Sequence, residues 1–306
     1  MSNLKITIIL LLSFYCTLIF SQPKILESDN GVLKLNLDLS RGGAICYVSL
    51  SGSDENLVNI FDEGRYIQQS YYAGESLDRQ KDGQSPRWSP WPWNPIQVGD
   101  AFGNRAKILD YIQNEDTLYV KSIPMLWDMN NEPAEAFMEQ WTILEGDVIK
   151  VTNRLTCFRH DTIYGDGVLK DQELPAVYPI SKLSNLYFYE GANPFSNSSL
   201  SSPEVVNLAS GFWGRYKEVT EHWMAFVDDN MFGMGVYNPM CTYFLAGMAG
   251  DPGHHVKSSS TSYIAPVKKA SLNRDSIFEY TYYIIIGKLD DIRKRVYELH
   301  ELKQEA

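Results

Sequence analysis

Residues 32–39 read VLKLNLDL, with leucine at 33, 35, 37 and 39 and polar side chains between them. A period of two puts the four leucines on one face of an extended chain and Lys34, Asn36 and Asp38 on the other, the signature of a half-buried strand. Strand-like runs return in TLYVKSI (117–123), EQWTILEG (139–146), VIKVTNRLTCF (148–158), WMAFVDD (223–229), FGMGVYN (232–238), TYFLAGM (242–248) and IFEYTYYIIIG (277–287). Short polar turns at EGD (145–147) and DDNM (228–231) join neighbours into hairpins. Only LDDIRKRVYELHELK (289–303) has a helical period, with Ile292, Val296 and Leu299 on one face and Asp290 and Asp291 where a helix start favours negative charge. These features predict an all-β chain closed by one C-terminal helix.

The first 21 residues read as an export signal. Lys5 supplies the positive start, ITIILLLSFYCTLIF is the apolar run, and FSQ offers a cleavage point. The run is short for a membrane span of about 20 residues, and no stop-transfer cluster follows. The residues before Cys16, SFY, are too bulky for a lipidation site. The expectation is a secreted or periplasmic protein with no membrane span in its mature form, and with residues 22–306 as a single domain.

Formal charge is 27 − 38 = −11. Such a chain is a poor partner for nucleic acid, whose affinity rests on Lys and Arg against phosphates. An acidic substrate would need positive charge concentrated locally. Beyond the leader, Cys46, Cys157 and Cys241 are widely spaced and odd in number, so no zinc site or disulfide framework is written here. Three buried thiols are expected.

Four stretches hold the polar and aromatic residues of a site. DEGRYIQQSYYAG (62–74) offers a cation, amides and phenols together: Arg65, Gln68, Gln69, Tyr71 and Tyr72. SPRWSPWPWNPIQVGD (85–100) has too many prolines for a helix interior or central strand. Its Trp88, Trp91 and Trp93 suit a sugar ring, whose C–H faces stack on aromatics while Asn94, Gln97 and Asp100 reach hydroxyls. CFRHDTIYGDGVLKDQELPAVYP (157–179) carries Arg159, His160, Glu173 and Tyr178, with Glu173 either a buried carboxylate or a catalytic acid. WGRYKEVTEHWMAFVDD (213–229) carries Arg215, Glu221 and His222. DPGHHV (251–256) is a weak metal motif because adjacent side chains diverge on an extended chain, and no HExxH, EF-hand, GxSxG, dinucleotide or P-loop pattern is present.

The segment GGAICYVSLSGSDENLVNIFDEGRYIQQSYY (42–72) resembles the opening of the galactose-mutarotase-like superfamily, in which a GG.I..L strand leads to an Asn-rich turn and a D.GR segment. QELPAVY (172–178), TEHWMAFVDD..FGMGVY (220–237) and TSYIAP (261–266) look like a secreted branch of that superfamily found in polysaccharide breakdown. The resemblance implies an antiparallel β-supersandwich. Mutarotases pair an H.Y histidine with a late glutamate, and neither stands at a matching position here. The Arg/Gln/Tyr stretch and the His/Tyr loops are closer to the equipment of uronate β-elimination, so the resemblance implies a carbon–oxygen lyase or dehydratase acting on acidic oligosaccharides.

On that reading Arg65 and the amides of Gln68 or Gln69 neutralise the substrate carboxylate, and no metal or other cofactor is required. His160, His222 and Tyr178 transfer protons, base and acid unassigned. Tyr71, Tyr72, Trp93, Asn94, Arg159, Glu173 and Arg215 bind substrate. A glycoside hydrolase built on two of Asp62, Glu63, Asp100, Glu173 and Glu221, a mutarotase or epimerase, and a non-catalytic sugar-binding module remain the alternatives.

Overall fold

A computed structural model describes residues 24–114, 117–160, 162–205, 207 and 216–304. The leader at 1–21 and Arg215 lie outside the described residues. The described chain is all-β with one helix, as the alternation predicts. Its largest sheet has eight antiparallel strands in the order Asn185–Phe188, Trp223–Val227, Phe232–Tyr237, Ile277–Lys288, Val148–Cys157, Ala136–Glu145, Leu118–Ile123 and Lys107–Gln113. A four-stranded sheet (Leu169–Glu173, Thr261–Ser271, Tyr243–Ala249, Lys217–Glu218) and a three-stranded one (Ile25–Asp29, Leu33–Asp38, Ala44–Leu50) contribute to the same main core, together with two short two-stranded ribbons.

The period-two rule holds where one face is covered. Leu33, Leu35 and Leu37 are fully buried, as are Val151 and Leu155 on the strand Val148–Cys157. The two-residue loop Gly146–Asp147 joins Glu145 to Val148, as the EGD signal implied. Gly43 shows why the GG pair stands where it does. Its φ is +81°, and a Cβ there would meet Val120 Cγ1 at 2.6 Å, so the turn enters the sandwich only without a side chain.

The helix Leu289–Gln304 lies over the far end of the large sheet and buries Leu289, Ile292 and Val296 against Trp223, Ala225 and Val227. Burying an Ile or Val side chain stabilises by about 1.5–3 kcal/mol. Gly235 permits the close approach, because a Cβ on it would lie 2.5 Å from Ile292. Glu221 locks the contact. It is fully buried and accepts hydrogen bonds from Arg293 Nη2 (2.8 Å), Tyr297 Oη (2.7 Å), Trp223 Nε1 (3.0 Å) and the Phe195 amide (3.0 Å). Burial pushes its carboxyl up, but Arg293, Tyr297 and Trp223 more than offset that, and it stays below the ordinary range.

Several strands escaped the pattern. Two of them, Leu169–Glu173 and Thr261–Ser271, lie outside the strand-like runs of the sequence, yet they pair with each other in the four-stranded sheet. LKDQE buries only its last two residues, so its apolar period is too short to register. Cys157 and Cys241 are buried, whereas Cys46 is half-buried, and none of the three is in a disulfide. Among the described residues no helix is long and apolar enough to cross a membrane.

Candidate functional site

The stretch 62–72 divides by its own alternation. Ile67, Gln69 and Tyr71 are fully buried in the core, while Gln68, Ser70 and Tyr72 line a cleft of about 740 Å³. Arg65 joins the cleft wall because Glu63–Arg65 is a short 3-10 turn rather than a strand. The opposite walls come from Arg87, Trp88, Trp91, Asn94 and Trp127, and from the edge strand Leu169–Glu173 with Ala176 and Tyr178 beyond it.

The amides of this region serve the backbone. Gln69 Nε2 donates to the Glu139 carbonyl (3.1 Å), and its Oε1 accepts from Tyr71 Oη (2.8 Å). Gln68 donates to the Gly64 carbonyl (3.0 Å) and accepts from the Val98 amide (3.1 Å). Gln97 bridges Gly42 and Gln140, and Gln172 holds both backbone groups of Tyr72. Irregular chain crossing a sandwich has no ladder partners, so buried glutamines supply them. Gln68 and Gln69 therefore do not neutralise a substrate carboxylate. Gln69 and Tyr71 do not reach the cleft.

Glu173 is the centre of the cleft's polar end. Tyr263 donates its hydroxyl hydrogen to Oε1, and Tyr72 donates to Oε2 at 3.3 Å. Burial raises the Glu173 carboxyl above its ordinary value, against the pull of the two phenols. Tyr178 packs its ring against Tyr263 at 4.9 Å and a tilt of 54°, and its phenol is pushed up by burial, then by Glu173 and Asp62. It is a protonated phenol through neutral pH, with no hydrogen bond to another described residue.

The charges around this carboxyl do not cancel. Asp62 is paired with Arg65 (3.3 Å), and Asp171 with Lys269 (3.1 Å) and the Tyr216 hydroxyl (2.7 Å). Lys170 and Arg87 line the same cleft and form no ion pair with any described residue. With Asp62 and Asp171 each paired to a cation, Lys170 and Arg87 make the surroundings of Glu173 locally positive in a chain of net charge −11.

Several sequence-selected residues sit elsewhere. His160 has a side chain 83% exposed and meets Glu135 at the surface, because its strand ends at Cys157 and the chain leaves the sandwich there. His222 turns away from the cleft in a left-handed conformation (φ +59°), with Nδ1 2.9 Å from the Cys241 carbonyl oxygen and His300 nearby. Trp93 is buried and stacks against the Arg159 guanidinium at 5.2 Å. Arg159 is itself buried between Trp93 and Tyr164, donating to the Gly165 carbonyl and Asp166, so neither residue meets substrate in the cleft. Of the hydrolase carboxyls, Glu221 belongs to the helix contact and Asp100 caps the 102–104 turn.

Trp127, Arg87, Lys170 and Asp171 were not singled out in the sequence. Arg87 lies within the Trp/Pro stretch and Lys170 within 157–179, so the density of those stretches was the available signal. Among the described residues no group of three or more His, Cys, Asp or Glu is placed to hold a metal ion.

No family model and no curated protein matches the sequence. Solved structures do match its shape. A provisional aldose 1-epimerase from Escherichia coli K12 superposes with a TM-score of 0.51 at 11% identity, covering 87% of this chain and 99% of its own. The chain has the galactose-mutarotase-like fold. A galactose mutarotase related enzyme from Lactobacillus acidophilus (TM-score 0.50, 10% identity, 86% and 97% covered) and a galactose mutarotase-like protein from Lactobacillus casei ATCC 334 (0.50, 10%, 86% and 99%) share it. At these identities the galactose-mutarotase-like likeness is one of fold, and the chemistry has to be argued from the cleft.

Proposed function

We propose that the protein is a carbon–oxygen lyase that β-eliminates at a uronic acid of an acidic oligosaccharide, in the cleft around Glu173. The observation that carries this reading is Lys170, a cation without an acidic partner among the described residues, on the same edge strand as Glu173. A uronate carboxylate placed against Lys170 has its charge neutralised, which lets the neighbouring C5 lose a proton.

Glu173 in its ionised form is the base. Its elevated pKa makes it a stronger base than an ordinary carboxylate. It takes the C5 proton, the C–H electron pair becomes the C4=C5 double bond, and the C4–O bond breaks. Tyr178, still protonated, gives its proton to the departing oxygen. Water leaves in a dehydratase and a sugar in a lyase. The pair then re-equilibrates through the open cleft.

A second reading rests on the fold. Its neighbours include proteins described as an aldose 1-epimerase and a mutarotase-related enzyme. The same pair could exchange anomers, with Glu173 at the O1 hydroxyl and Tyr178 at the ring oxygen. That reaction needs no neutralising cation, so it leaves Lys170 without a role.

Incubation with saturated uronate oligosaccharides separates the two. A rise in ultraviolet absorbance from the conjugated product, abolished by Lys170→Ala, supports elimination. No rise, together with faster anomer exchange on a neutral aldose by NMR, supports mutarotation and overturns the first reading.

A further inference from the structure

We propose that the corner formed by Arg87 and Trp88 is a second subsite of this cleft, taking a sugar unit adjacent to the reacting one and reading a negative charge on it. This rests on the sugar-acid reading of the Glu173 end and adds the length and the charge pattern of the substrate.

The cleft is longer than its reactive end. From Glu173 a continuous wall of rings leads away. Tyr72 touches the carboxyl at 3.3 Å, Trp91 meets Tyr72 at 6.3 Å, Trp88 meets Trp91 at 5.2 Å, and Trp127 meets Trp88 at 6.0 Å. All of these contacts between rings are edge-on, at 62–71° between planes, so each ring turns a different face from its neighbour's. At about 740 Å³ the space exceeds what a single pyranose fills and lies in the range that encloses larger ligands.

The far wall is held in place before any ligand arrives. Trp91 Nε1 donates to Asn94 Oδ1 (3.0 Å), Asn94 Nδ2 donates to the Tyr71 carbonyl (2.7 Å), and the Trp127 amide donates to the Asn94 carbonyl (2.9 Å). One buried asparagine thus fixes two of the three tryptophans. Fixed aromatic walls lower the ordering cost of binding.

Arg87 adds charge at this end. Its guanidinium lies over the Trp88 ring at 5.1 Å and has no ion pair among the described residues. Asp62 and Asp171, the other acids of the lining besides Glu173, have their own cations. A guanidinium over an aromatic ring, with its donor edge uncommitted among the described residues, suits a planar or tetrahedral oxyanion on a stacked sugar. The ligand is therefore an oligosaccharide of at least two units, with a carboxylate or a sulfate ester on the unit next to the reacting uronate.

The test is binding to the full chain with four ligands: a methyl uronoside, and disaccharides in which the uronate is joined to a neutral hexose, a sulfated hexose or a second uronate. Calorimetry with Glu173→Gln protein keeps the ligands intact, and KM for the same series on the unaltered protein is the second measurement. One charge-assisted contact predicts about tenfold tighter binding of an anionic second unit than of the neutral one. Arg87→Ala should erase that ratio, and Trp88→Ala should bring the disaccharides to the affinity of the methyl uronoside. Whichever anionic disaccharide binds more tightly identifies the oxyanion. Equal affinity for neutral and anionic second units, or a preference that survives Arg87→Ala, overturns the subsite. Binding preference without turnover of any ligand would instead sink the elimination reading and leave the subsite standing.

Discussion

Tyr72 and Glu173 meet across the cleft at 3.3 Å, tying the 62–74 segment to the edge of the four-stranded sheet. Tyr263 reaches the other carboxyl oxygen from the strand Thr261–Ser271, so a group that titrates is fixed between two walls by phenols that do not. The chemistry assigned to the cleft depends on that clasp.

Glu173→Gln is the direct test of proton transfer. The amide keeps the shape and can accept from one phenol, so the fold should survive. Loss of a positioned base should cost about 10²–10⁴ in kcat. Turnover measured by product absorbance, with circular dichroism as the fold control, decides it. A variant retaining most of its rate would remove Glu173 from the reaction.

The same residue sets a pH dependence of stability. Its carboxyl is raised in the folded state, so between the unfolded and folded pKa values the native protein binds the extra proton. Its contribution is fully present below the unfolded carboxyl value and is lost as pH rises through the folded one. Glu173→Gln should therefore gain stability relative to the unaltered protein as pH is taken from about 4 to about 8. Urea midpoints across that range check the sign. A relative loss at the upper end would mean that the folded protein favours the carboxylate.

Glu221→Ala should be among the most damaging changes in the chain. It strands Arg293, whose side chain is mostly covered, and removes the acceptor for Tyr297 and Trp223. Breaking a buried pair from one side costs about 3–5 kcal/mol. Denaturant unfolding measures it. A cost below about 1 kcal/mol would show that the helix docks without this network.

The two histidines should be dispensable for turnover. His160→Ala alters an exposed surface pair and should change kcat by no more than about twofold. His222→Ala loses one hydrogen bond, on the order of 1 kcal/mol of stability, with the cleft intact. A hundredfold fall in kcat for either would return an imidazole to the chemistry.

Alternation alone determined the all-β class, most strands of the large sheet and the closing helix, because period-two and period-3.6 burial are local consequences of backbone geometry. Composition marked the stretches that build the cleft, and Arg65, Tyr72, Asn94, Glu173 and Tyr178 were legible within them. Which side chain of a dense stretch faces the cleft was not legible. Trp91 and Trp93 stand two apart, yet one lines the cleft while the other lies under Arg159. Gln68 and Gln69 look like ligand amides until the carbonyls they serve, tens of residues away in the case of Gln69, are in view. Tertiary structure alone decided which charges are spent. Asp62 and Asp171 have partners, and Lys170 and Arg87 have none among the described residues, because ion pairing depends on distance through space, and sequence order does not encode that distance.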